Sequence, residues 1–230
     1  MSIVIHKSFK HEGAYSIGHF SVIEKDVQVG KNVHIGHHVF IEEDVVIGDN
    51  VQIGNKVTLK SGTRIANDVV FDDHCITTGA CYLGNHVNVR TGAIISRSTI
   101  IEDYGFIGPG VITNHTKHVS HGRKGKVFEE QLLSYISYGS IIGSQASLLA
   151  GIHIGPQSIV GGGAVVIKDL PGRKVYVGSP CKPIMNIPPE YEISQPSNAG
   201  SMYLTDVILG HFLRYMPALN FQDHIQNSKN

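Results

Sequence analysis

The chain has 230 residues, 41% of them hydrophobic, and its 19 Lys and Arg are matched by 19 Asp and Glu. That length suits one large packed domain or two small ones, and the balanced charge gives no general attraction for nucleic acid, so a charged ligand has to be met by local groups. Three cysteines, Cys75, Cys81 and Cys181, show no CxxC or Cys/His ligand spacing and support neither a disulfide framework nor a structural zinc site.

The N-terminal stretch "MSIVIHKSFKHEG" contains only a short apolar run, too short for a signal-peptide core. No segment approaches the roughly 18 apolar residues of a membrane span. The expectation is a cytoplasmic protein that does not enter the membrane. From Ile17 the sequence falls into hexads: IGHFSV, IEKDVQ, VGKNVH, IGHHVF and onward to IGPGVI, 16 of them without an insertion. The first position is aliphatic or aromatic in 15 of the 16, with Thr77 the exception, and the fifth is always small or β-branched.

Two inward-facing positions per six residues fit neither a helix nor an ordinary strand. They fit short strands joined by corners and stacked so that equivalent side chains form ladders. An all-β parallel solenoid with three hexads per coil follows, each coil rising by about 4.8 Å. Cys75 and Cys81 occupy fifth positions and read as small core residues. Glycine at the second position of seven hexads is expected to ease the corner where a Cβ is costly.

After Thr113 the period stops at "TNHTKHVSHGRK" and resumes from Ile136 with ISYGSI, IGSQAS and LLAGIH. The interval is one residue short of four hexads, so residues 113–135 are an insertion rather than degenerate coils. A long loop in a compact solenoid points to function. Its His115, His118, His121, Arg123 and Lys124 make a cationic, titratable lip suited to an anionic ligand. The histidines at spacing three fit no ordinary metal template, so no metal is expected. His34, His37, His38, His74, His86 and His153 fall at exposed hexad positions and read as solvated.

The hexad run, the break after it and the terminal "IVGGGAVVIKDLPGRKVYVGSPCKPI" together resemble the hexapeptide-repeat acyltransferases over roughly residues 11–184. The resemblance implies left-handed parallel β-helices associated as homotrimers, with acetyl transfer from acetyl-CoA in clefts between subunits. It divides the chain into a β-helix acyltransferase domain over 1–184, carrying the insertion, and a linker with a C-terminal helical extension over 185–230. The helix is expected over Ser201–Met216, where Leu204, Val207, Ile208, Phe212 and Met216 form an apolar stripe.

Within that family, "GPGVITNH" resembles the Asn-His segment of the maltose, galactoside and xenobiotic acetyltransferases, and its "TN" resembles the nucleotide-amino-sugar N-acetyltransferases. The first likeness implies His115 as the base. The second implies Asn114 as a contact to the acceptor amine. His118, Arg123 and Arg90 are assigned to the acceptor's phosphates. By position in the terminal pattern, Ser144, Gly162, Lys168 and Lys182 are assigned to acetyl-CoA; Ile167 stands where a Thr is usual, so a contact through that hydroxyl is not carried over. The early start of the hexad pattern, with Ile5, Phe9, His11 and Tyr15 in phase, favours an N-acetyltransferase acting on a nucleotide-linked amino sugar for surface polysaccharide synthesis. An O-acetyltransferase acting on a sugar or antibiotic hydroxyl, and a catalytically silent scaffold, stand beside it.

Overall fold

The computed structural model describes residues 2–117 and 132–194. The predicted C-terminal helix, together with His118, His121 and Arg123, lies outside the described residues. Short parallel strands of two or three residues alternate with corners and stack into three sheets of nine, eight and ten strands. The fold is an all-β solenoid of three flat faces and about nine coils, as expected for a left-handed β-helix. The first face runs from Val4–Ile5 to Val165–Val166, the second from Lys10–His11 to His153–Ile154, and the third from Tyr15–Ile17 to Lys174–Gly178. An antiparallel strand, Cys181–Asn186, closes the third face. Among the described residues no helix is long and apolar enough to cross a membrane.

The register is set by 18 residues per coil: Val22 pairs with Phe40, Arg64 with Tyr82 and Val70 with Asn88. First- and fifth-position side chains point inward and fill the prism. Ile23, Ile35, Ile41, Ile53 and Leu83 are among its largest fully buried groups. Cys75 and Cys81 are buried in this core as free thiols. Burial pushes their pKa values up to about 11 and about 12, so both are inert small core residues rather than nucleophiles. Thr77, the one polar first-position residue, is buried with its hydroxyl 2.8 Å from that of Thr63, which satisfies both groups.

The corners differ from expectation in one respect. The left-handed backbone falls on the fourth position, taken by Asp26, Asn32, His38, Asp44, Asn50 and Asp68 with φ between +54° and +58°. The second-position glycines are needed for a different reason: a Cβ on Gly36 would stand 2.7 Å from the carbonyl carbon and oxygen of Gly54 in the next coil. Close stacking, not positive φ, selects glycine there. Polar third-position side chains then tie coil to coil, Asp49 accepting from the Lys31 N–H and Asn67 from the Asp49 N–H. Gly36→Ala should therefore force adjacent coils apart and cost about 1–3 kcal/mol, read as a lower urea midpoint with an unchanged slope.

Candidate functional site

The insertion interrupts the register without disturbing the coil. Ile94 pairs with Ile112, 18 residues on, whereas Ile100 pairs with Tyr135, 35 residues on, and Ile112 with Ser147. Seventeen residues have been added at the edge between the first and second faces, as the phase break predicts. Thr113, the last residue of its strand, is buried and accepts the Ser96 N–H at 2.8 Å. Asn114 donates both its backbone N–H and its side-chain Nδ2 to the Leu148 carbonyl, at 3.0 and 2.8 Å, which leaves its Oδ1 to accept from a ligand. His115 is half-buried, and its carbonyl accepts the Leu132 N–H at 2.9 Å. Among the described residues, that bond ties the two ends of the insertion together. On the return, Ser134 donates its N–H to Ser98 and its Oγ accepts the Gly151 N–H.

The other assigned residues fall on two edges. Lys168 shares the edge of Asn114 and His115, two coils further on, and is exposed beside Asp169. Ser144 and Gly162 lie on the edge between the third and first faces, in successive coils. A Cβ on Gly162 would sit 3.3 Å from the Ser144 carbonyl, which accepts the Gly163 N–H at 2.8 Å, and nothing lies within 4 Å outside Gly163. That strip of backbone is bare enough for an extended chain to lie against it. Lys182 stands in the closing hairpin opposite Val177, directly above, since a Cβ on Gly161 would meet Val177 at 2.8 Å. Arg90 shares the Ser144 edge two coils before it and is paired with Asp72 at 3.0 Å. One chain therefore does not bring His115 and Arg90 together; they stand at opposite edges of the first face.

Sequence reasoning missed the acid that holds the returning strand. Glu102 is buried at the edge between the second and third faces; one carboxylate oxygen accepts from the Tyr135 hydroxyl and the other accepts the Tyr138 N–H at 2.6 Å. Burial raises its carboxyl above the usual range, against the lowering effect of those two donors. As a second-position residue it looks in the sequence like Glu24 or Glu42, so nothing there marked it. The histidines read as solvated are exposed apart from His153, which is half-buried, 3.0 Å from the Ser137 hydroxyl and edge-on to Tyr135. Several serve the corners, as where the His37 Nδ1 accepts the His19 N–H. Among the described residues no group of three or more His, Cys, Asp or Glu is placed to hold a metal ion.

A three-faced hexapeptide prism with an insertion on one edge is the architecture against which comparison with known proteins is set. The chain is similar to a serine acetyltransferase of Buchnera aphidicola, 27% identical over 144 residues covering 62% of this chain and 48% of that protein. It is also similar to the galactoside O-acetyltransferase of Escherichia coli, 31% identical over 99 residues covering 39% of this chain and 48% of that protein. The chain thus spans about half the length of these relatives. A crystal structure of a UDP-N-acetylglucosamine O-acyltransferase from Moraxella catarrhalis superposes with a TM-score of 0.69 at 17% identity, covering 99% of this chain and 96% of that one, which shows a shared fold. No protein-family model matches. By fold and by these sequence likenesses the chain is similar to the hexapeptide-repeat acyltransferases.

The Glu102 network carries a pH signature. With its carboxyl raised by burial, the folded chain retains a proton that the unfolded chain releases, so stability falls as pH rises through the interval just above the ordinary carboxylate range. Glu102→Gln should flatten that part of the profile, measured as the urea midpoint against pH; an unchanged slope would show that the carboxyl titrates normally.

Proposed function

We propose that the protein is an acetyl-CoA-dependent N-acetyltransferase whose acceptor is the amino group of a nucleotide-linked amino sugar. The observation that carries this reading is the division of the assigned residues between the two edges of one face. His115, Asn114 and Lys168 line one edge, and the bare strip at Ser144 and Gly162, with Lys182 above it, lines the other. In a homotrimer with the first face turned toward the three-fold axis, the first edge of each copy meets the second edge of its neighbour, and each cleft receives both halves of the site. The outward column of that face suits such packing, with Ile76, Ile94 and Ile112 in line and Ile112 41% exposed.

In this reading the pantetheine arm lies along the bare strip, with Lys182 and Lys168 toward the phosphates from the two sides. The acceptor nitrogen donates a hydrogen bond to Asn114 Oδ1 while His115 takes its proton. The nitrogen lone pair attacks the thioester carbonyl. Collapse of the tetrahedral adduct breaks the C–S bond, leaving an amide, and the imidazolium returns the proton to the departing thiolate. Arg90, with His118 and Arg123, is assigned to the acceptor's phosphates, and the acetylated sugar would feed surface polysaccharide synthesis. The likeness to a galactoside O-acetyltransferase favours a second reading, in which the nucleophile is a sugar hydroxyl and His115 performs the same deprotonation.

Saturating acetyl-CoA should raise the melting temperature by mass action. A thiol-release assay across UDP- and dTDP-linked amino sugars, free sugars and chloramphenicol separates the readings. Turnover on nucleotide-linked amines supports the first and turnover on hydroxyls alone supports the second. An absence of both turnover and thermal shift would mean a silent scaffold. His115→Ala should lower turnover by about 10²–10⁴; a rate near that of the unsubstituted protein would remove His115 as the base.

A further inference from the structure

The edge that carries His115 holds a second cation which the reaction as proposed does not use. Arg97 occupies the corner position equivalent to His115 one coil earlier, about 4.8 Å along the prism by the strand spacing. Its main chain is fixed, with the Arg97 N–H donating to the Thr78 hydroxyl at 3.0 Å. Its side chain lies flat over Gly79, where a Cβ would stand 3.3 Å from both Arg97 Cβ and Nε. Gly79, at φ +148°, thus supplies a bare floor that holds the guanidinium along the edge.

Three cations of the coils before it are already paired: Lys25 with Glu43, Lys60 with Glu42 and Arg64 with Asp44. Glu42 is further held by the Ser61 N–H and hydroxyl. Among the described residues Arg97 has no carboxylate partner, and its only side-chain contact is a long one, from Nη2 to the Thr78 carbonyl at 3.5 Å. It borders a cleft of about 290 Å³ shared with Lys60, Ser61, Thr78 and Ala80. That cleft is at the small end of ligand sites and carries a net positive charge, from Lys60 and Arg97 against Glu42.

We infer that Arg97 is a further residue that binds a phosphate of the acceptor, gripping it in the Gly79 cleft so that the acceptor nucleophile is presented to His115. This rests on the reading of His115 as the base. An exposed guanidinium whose fork makes only one long bond, to the Thr78 carbonyl, and whose stem is laid on a glycine is preorganised for a two-point contact with phosphate. Arg90, by contrast, is already tied to Asp72. The same chemistry would accept a phosphate of coenzyme A, so the test separates the two sources.

Full-length protein is titrated with UDP by calorimetry at low and high salt, and acetyl transfer is measured with UDP-linked amino sugar and with free glucosamine. Arg97→Gln should weaken UDP binding by about tenfold or more and raise KM for the UDP-linked acceptor by a similar factor. It should leave kcat, KM for acetyl-CoA and the rate with glucosamine within about twofold, while Arg97→Lys should recover part of the loss. Unchanged UDP affinity in Arg97→Gln, no UDP binding by the unsubstituted protein, or a rise confined to KM for acetyl-CoA would each overturn the inference. His115→Ala separates this from the underlying reading: lost turnover with retained UDP affinity supports both, and retained turnover refutes the base without touching the UDP result.

Discussion

Everything in this molecule hangs on one spacing, the 18-residue parallel register that sets each backbone segment on its equivalent one strand away. Because strand N–H groups find their carbonyls in the adjacent coil, as His34 does at Val51 and Val70 at Val87, identical corner positions are forced into columns. A column in close contact admits little at its centre, which is why glycine recurs at Gly18, Gly36 and Gly54. The outward positions are less constrained. Chemistry has to be written there, one residue per coil, along an edge.

Edge columns explain how so regular a body acquires unequal sides. On the edge that carries His115 the cations of the early coils are paired and Arg97 is not, and on the edge that includes Ser144 and Gly162 the residues become small. The inserted segment adds asymmetry without loosening the core, because the coil closes across it: Thr99 pairs with Ser134, and Thr113 with Leu148. Glu102 reinforces the join from inside. Its carboxylate ties Tyr135 and the Tyr138 amide to the preceding coil, so the neck under His115 stands on a rigid base.

Much of this was legible in the sequence, because a six-residue period has few structural causes. Inward positions, buried thiols at Cys75 and Cys81, and the place of the insertion all followed from phase alone. The reason for the glycines did not, since the sequence shows that a Cβ is avoided and not whether a dihedral or a neighbour excludes it. Glu102 was equally hidden; burial of an acid depends on Tyr135, which reaches it only because 17 residues were inserted between their coils. The assignment of Lys168 and Ser144 to one cofactor shows another limit. Linear spacing within the terminal pattern does not say that the two stand on opposite edges of a face, whereas the register does.

Opposite edges also bear on why such a protein would act as an assembly. The prism presents flat faces, and the cleft beside Arg97 is small. A ligand as long as acetyl-CoA needs two walls, and a rigid rod gains a second wall only from another rod. In the proposed trimer the bare strip of one copy faces the edge of Asn114 and His115 on the next. Preorganisation then comes from the register itself, which ties Asn114 to Leu148 and Gly163 to Ser144 in neighbouring coils by backbone bonds. The proposed base, the amide that receives the acceptor and the guanidinium one coil away are held at one fixed rise. A nucleotide-linked acceptor is a molecule with phosphate and nucleophile set apart by a sugar, and the proposal places those two groups on successive rungs of a single edge.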